Sequence, residues 1–88
     1  MNIVEFVKAR LEEETKIAGA MPDPAKYRRI IDALWAMSAA VINQVESNQI
    51  EPTDHPLVAG LLVPAHVWAD HPDFDPAGWF PKMIGQAR

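Results

Sequence analysis

The sequence predicts an all-α protein of one domain, and three observations predict it. Large apolar residues recur at helical spacing in two long stretches and one shorter one. Prolines and glycines punctuate the intervals between them. No run alternates with period two long enough to make a strand. The 88 residues are one domain's length, and 49 % of them are hydrophobic, which supports a small core.

Helix 1 is expected over about residues 3–18. Asn2 supplies an N-cap, and Glu5 three residues later completes a capping-box pattern. Ile3, Phe6, Val7 and Leu11 form the apolar stripe, while Glu12, Glu13 and Glu14 lie partly opposite it. Lys8 is placed to pair with Glu12 one turn on, and Gly19 followed by Met21-Pro22-Asp23-Pro24 ends the helix.

Helix 2 is expected over about residues 24–47, with Asp23 as cap and Pro24 in the first helical position. Tyr27, Ile30, Ile31, Leu34, Ser38, Val41, Ile42 and Val45 keep the helical spacing throughout. With Trp35 and Met37 added, the large side chains cover an arc of about 160°, wider than one neighbour needs. Helix 2 is therefore expected at the centre. Its length of about 35 Å also exceeds the diameter of about 31 Å of a compact chain this size. That excess points to an elongated molecule or a homodimer through helix 2, with the flanks around Trp35, Ile42 and Met37 left uncovered.

Helix 3 is expected over about residues 56–69, weakened at Gly60 and kinked at Pro64, with Leu57, Val58, Leu61 and Leu62 as its apolar face. Residues 70–88 read as an ordered extended tail, because Pro72, Pro76 and Pro81 exclude a regular helix. Its Phe74, Trp79 and Phe80 are too apolar to leave in water, so the tail should fold back.

Charge and composition exclude several functions. The chain has no cysteine, hence no disulfide, thiolate or cysteine-zinc chemistry. No apolar run approaches the roughly 20 residues of a bilayer span, and the start lacks a signal-peptide pattern, so a cytoplasmic protein is expected. The net charge is −4, and no Lys or Arg lies between Ile30 and Pro81. Phosphate binding draws on clustered cations, so nucleic acid is not the expected partner. Lys26, Arg28 and Arg29 are the one group that would serve it.

The segment Asp70-His71-Pro72-Asp73-Phe74 gathers the most chemistry and echoes Asp54-His55-Pro56 upstream. Each triplet reads as a structural turn in which the Asp caps the next segment and the His adds a local hydrogen bond. A metal site from His66, Asp70, His71 and Asp73 ranks last. His66 and His71 are five apart rather than four, and no closing Glu turns Asp70, Asp73 and Asp75 into a calcium loop. No metal and no cofactor are expected. Ser38 and Ser47 have neither a nearby His–acid pair nor a nucleophile elbow, so no catalytic residue is assigned and the protein is read as no enzyme. The candidate interaction surface is Trp35, Met37, Trp79 and Phe80. Trp35 is favoured as core, and Trp79 and Phe80 stand open between a docked tail and an exposed hook.

Phe6-Val7-Lys8-Ala9-Arg10-Leu11-Glu12-Glu13-Glu14 resembles the opening Phe-Leu-x-Ala-Arg-Leu-Asp-Glu-Asp helix of a small family from actinobacteria and their phages. Trp68-Ala69-Asp70-His71-Pro72-Asp73-Phe74 with Trp79 is similar to that family's Tyr-Ala-Asp-His-Pro-Asp-Tyr ending with its nearby Trp, and residues 26–31 resemble its middle helix. This chain departs by Phe at Phe74, by a longer gap before Trp79 and by the Pro/His-rich segment at 52–56. The family has no established activity, so the resemblance implies no site residues. It implies an actinobacterial or actinophage source, and small size favours phage. The leading expectation is a non-enzymatic protein-interaction module, a phage accessory protein acting on a host protein. The alternative is a small nucleic-acid-associated regulator using Lys26, Arg28 and Arg29.

Overall fold

The computed structural model describes residues 1–84, and the fold is all-α. Two long helices, α1 (Ile3–Ala20) and α2 (Ala25–Ser47), pack together along their apolar stripes. Short pieces cover the other side of that pair: α3 (Pro56–Ala59), α4 (Leu62–Ala65), a 3-10 turn (His66–Trp68) and α5 (Pro76–Trp79).

Helix α1 starts where its cap chemistry places it. Asn2 Oδ1 accepts from Glu5 N–H at 2.8 Å, and Glu5 Oε1 accepts from Asn2 N–H at 3.0 Å. The helix continues through Gly19 to Ala20, two residues past the expected end. Met21 stops it, held extended at φ −77°, ψ 143° because Pro22 follows. Lys8 does not pair with Glu12. Its Nζ reaches Glu46 Oε2 on α2 at 3.2 Å, and both side chains are about half exposed, so the bridge adds little stability.

Helix α2 begins one residue later than expected. Pro24 is the N-cap residue and no side chain caps the helix, because Asp23 then lies one position too early to reach its first amides. The C-terminal end is a Schellman closure: Ile50 N–H donates to Val45 O at 2.9 Å and Gln49 N–H to Glu46 O at 3.2 Å. Gln49 takes the left-handed position, at φ 54°. The buried face of α2 runs through Ile31, Leu34, Ser38, Ile42 and Val45, so Ile42 is core rather than uncovered flank.

The third helix is not one kinked rod. It breaks at Gly60–Leu61, and Pro64 does not kink it: this proline sits buried in the first turn of α4, where no intrahelical N–H is required. The expected extended tail is also corrected. It turns back at His71–Phe74 and forms α5, whose Pro76 occupies the first turn and whose Asp75 Oδ1 accepts from Gly78 N–H at 3.1 Å. Within the tail, residues 85–88 lie outside the described residues.

The core joins Ile3, Phe6, Val7 and Leu11 of α1 to the α2 face and to Val58, Leu61, Ala65, Trp68, Trp79 and Phe80. The molecule is a slab of 45 × 29 × 17 Å with a radius of gyration of 13.8 Å. A compact chain of this length has about 12 Å. The elongation expected from the length of helix 2 is present.

Candidate functional site

Both Asp-His-Pro triplets build turns, but the histidine does the capping. His55 Nδ1 accepts from Leu57 N–H at 3.0 Å and starts α3. His71 Nδ1 accepts from Asp73 N–H at the same 3.0 Å. An imidazole acceptor on the residue before proline reaches the amide two residues on, as an Asx side chain does in its own turn. Asp70 is exposed and makes no hydrogen bond among the described residues. Asp54 acts at long range instead. At φ 43° it turns its carboxylate toward the chain's other end, and Oδ1 accepts from Lys82 N–H at 3.0 Å and Met83 N–H at 3.1 Å. Thr53 Oγ1 beside it donates to Trp79 O at 2.6 Å. Residues 53–54 thus form a clamp on the segment after α5, a role that their spacing alone does not reveal.

His71 also reaches α1. Arg10 Nη1 lies against His71 Nε2, Arg10 Nη2 pairs with Glu13 Oε2 at 3.2 Å, and the guanidinium stands 5.8 Å from the centre of the Phe6 ring. Both ring nitrogens of His71 therefore face donors, which compete for the single acceptor nitrogen of the neutral imidazole. Next to it, Trp68 Nε1 donates to Glu14 Oε1 at 3.2 Å. Glu14 Oε2, Arg10 Nε and Ser38 Oγ are buried without a hydrogen-bond partner among the described residues. Phe6 is the hub of this region. Its ring centre lies 4.9 Å from Trp79, 5.6 Å from His71, 6.1 Å from Phe74 and 6.4 Å from Trp68, in tilted and edge-on contacts that aromatic rings prefer.

The quartet His66, Asp70, His71 and Asp73 does not assemble as a ligand set, and no group of three metal-capable side chains converges among the described residues. His66 Nδ1 is held by Leu62 O at 2.6 Å, and its ring packs against Phe74 at 5.4 Å. A cleft of about 420 Å³ opens between Met1, Pro72, Asp73, Asp75 and Trp79. It offers two carboxylates and an indole edge whose N–H is already given to Met1 O at 3.0 Å. No nucleophile–base pair lines it.

The candidate interaction residues divide. Trp79 and Phe80 are 5 % and 0 % exposed, so the hook is excluded and they belong to the core. The Asp75 cap and the Thr53 bond fix the turn that sends them inward. Trp35 is half-buried, its indole N–H donating to Thr15 Oγ1 at 3.1 Å. Met37 is 48 % exposed and Ile30, expected in the buried stripe, is 58 % exposed, because the centre of the buried face falls on Leu34 and Ser38. Lys26, Arg28 and Arg29 are exposed at the start of α2. Sequence reading missed one pair: Val63 and Val67, one turn apart, are 65 % and 58 % exposed. Their spacing off the Val58–Leu61 face was the available signal. No helix among the described residues is long and apolar enough to cross a membrane. Neither a protein-family model, nor a curated protein, nor a solved structure matches this chain.

Proposed function

We propose that this protein is a non-enzymatic protein-interaction module, a phage accessory protein that binds a host protein in the host cytoplasm. The observation that carries the reading is the Val63–Val67 ridge, two β-branched side chains held outward on a segment fixed by Pro64 and Trp68 beneath it. A pair of exposed valines on a buried footing offers a partner apolar surface that is already placed, at a small ordering cost. The phage and host parts rest on the resemblance of the Trp68–Phe74 and Phe6–Glu14 segments.

The test is capture from actinobacterial lysate with the tagged full chain and with Val63→Asp/Val67→Asp. A host protein retained by the first and lost at least tenfold with the second supports the reading. Equal retention by both, in chains of equal helix content, overturns it.

The nucleic-acid reading stands second, on the exposure of Lys26, Arg28 and Arg29. At about 100° per residue, Arg28 and Lys26 point to opposite sides of α2, so the three cations do not follow one phosphate track. Sub-micromolar complexes in a mobility-shift titration, weakening steeply with salt, would move it ahead.

A further inference from the structure

Helix α2 carries its charges the wrong way round for a helix that stands alone. Lys26, Arg28 and Arg29 follow its N-terminus, no acid lies in the first turn, no base lies in the last, and Glu46, paired with Lys8 of α1, sits there instead. Cations beside the positive end of the dipole and an acid beside the negative end are each unfavourable. An antiparallel neighbour with the same charge layout reverses the sign of both terms.

The outward face of α2 has the shape for that neighbour. Lys26, Ile30, Ala33, Met37, Ala40, Gln44 and Ser47 succeed one another at alternating steps of four and three, and all seven are exposed. That spacing is the seam of a two-stranded helical pair. Its central four residues are apolar and alternate large and small: Ile30, Ala33, Met37, Ala40. A two-fold axis at the level of residue 35 sets Ile30 against Ala40 of a second copy, and Ala33 against Met37 of that copy. Every large side chain then meets a small one, the arrangement that fills space without strain. The same axis lays Lys26 beside Gln44 of the second copy and sets Lys26 and Arg29 of each α2 near the negative, C-terminal end of the other.

We propose that the partner of this face is a second copy of the chain: α2 pairs antiparallel with α2 across a two-fold axis near residue 35, with Ile30 and Met37 seated on Ala40 and Ala33. The pairing uses a different face from the Val63–Val67 ridge, so a homodimer leaves that ridge open, and either proposal can fail while the other holds.

Sedimentation equilibrium of the full chain from low to high micromolar concentration tests it. The expected species is a dimer of twice the 9.8 kDa chain. Met37→Asp raises the dissociation constant about tenfold or more, a loss of about 1.4 kcal/mol. Ala33→Met, which puts Met against Met in two layers, weakens the dimer comparably. The exchange Ala33→Met/Met37→Ala restores large against small and returns the dissociation constant to within about threefold of the unsubstituted chain. Both positions are exposed, so circular dichroism should show unchanged helix content in every variant. A 9.8 kDa monomer throughout overturns the pairing. A dimer indifferent to Ala33→Met, or not rescued by the exchange, overturns the face and its register.

Discussion

At the scale of single residues, the proline-linked turns reassign a familiar role. The acid before His71 is an ordinary solvated side chain, whereas the imidazole holds the Asp73 amide through Nδ1 and packs edge-on against Phe6 of α1. His71→Ala removes a local cap and a tie to α1 together, and should cost about 1 to 2 kcal/mol. Asp70→Ala should stay within about 0.5 kcal/mol of the parent. Urea melts of the two variants compare them directly, and the reverse order would return the capping role to the acid. Gln49 is a second residue whose chemistry disagrees with its backbone. At φ 54° it occupies the Schellman position that glycine fills without penalty. Gln49→Gly should therefore stabilise the fold by about 1 kcal/mol, a rise in Tm of roughly 4 to 8 °C for a domain this size. A melting temperature that falls would mean that the Gln49 side chain makes contacts worth more than the strain.

At the scale of elements, the segment after α5 is kept in place less by its own helical turn than by the clamp across from it. α5 is four residues long, too short to hold itself, and its downstream amides at Lys82 and Met83 are given to Asp54. Asp54→Ala removes that acceptor and puts a β-carbon without a polar side chain at φ 43°, for a combined loss of about 1 to 2 kcal/mol. Asp54→Asn, which tolerates the left-handed backbone and keeps one acceptor oxygen, should recover part of it. Trypsin reads the result locally: cleavage after Lys82 should accelerate in Asp54→Ala and less in Asp54→Asn. An unchanged rate would show that Trp79 and Phe80 alone secure the segment.

At the scale of the whole molecule, what the chain announces and what it conceals separate by the range of the forces involved. Helices α1 and α2 were legible because periodicity, the Asn2–Glu5 box and the Met21-Pro22 stop are local signals, written within one or two turns. The break falls at Gly60–Leu61, where the glycine weakens the helix, and not at Pro64, since a proline reads as a stop unless the chain's new helix start is known. The inward turn of Trp79 and Phe80 was undecidable from their neighbours, because its cause, Thr53 and Asp54, lies about 26 residues away. Of the flanks of α2 expected to be open, Met37 is exposed and Ile42 is buried, for a related reason: a wide apolar arc shows how much surface needs cover but not how the partner helices are centred on it. The candidate site was thus legible in composition and not in orientation.

The tie from Trp79 Nε1 to Met1 O spans 78 residues of sequence. A ribosome adds roughly 5 to 20 residues each second. Phe6 is therefore synthesised roughly 4 to 15 s ahead of the indole that covers it at 4.9 Å. Through that interval the N-terminal helix has its stripe but not its Trp79 neighbour, and α2 is the long surface that shelters it. The order of synthesis makes the α1–α2 hairpin the chain's first folded object, with the aromatic turn of Trp79 and Phe80 closing over it later.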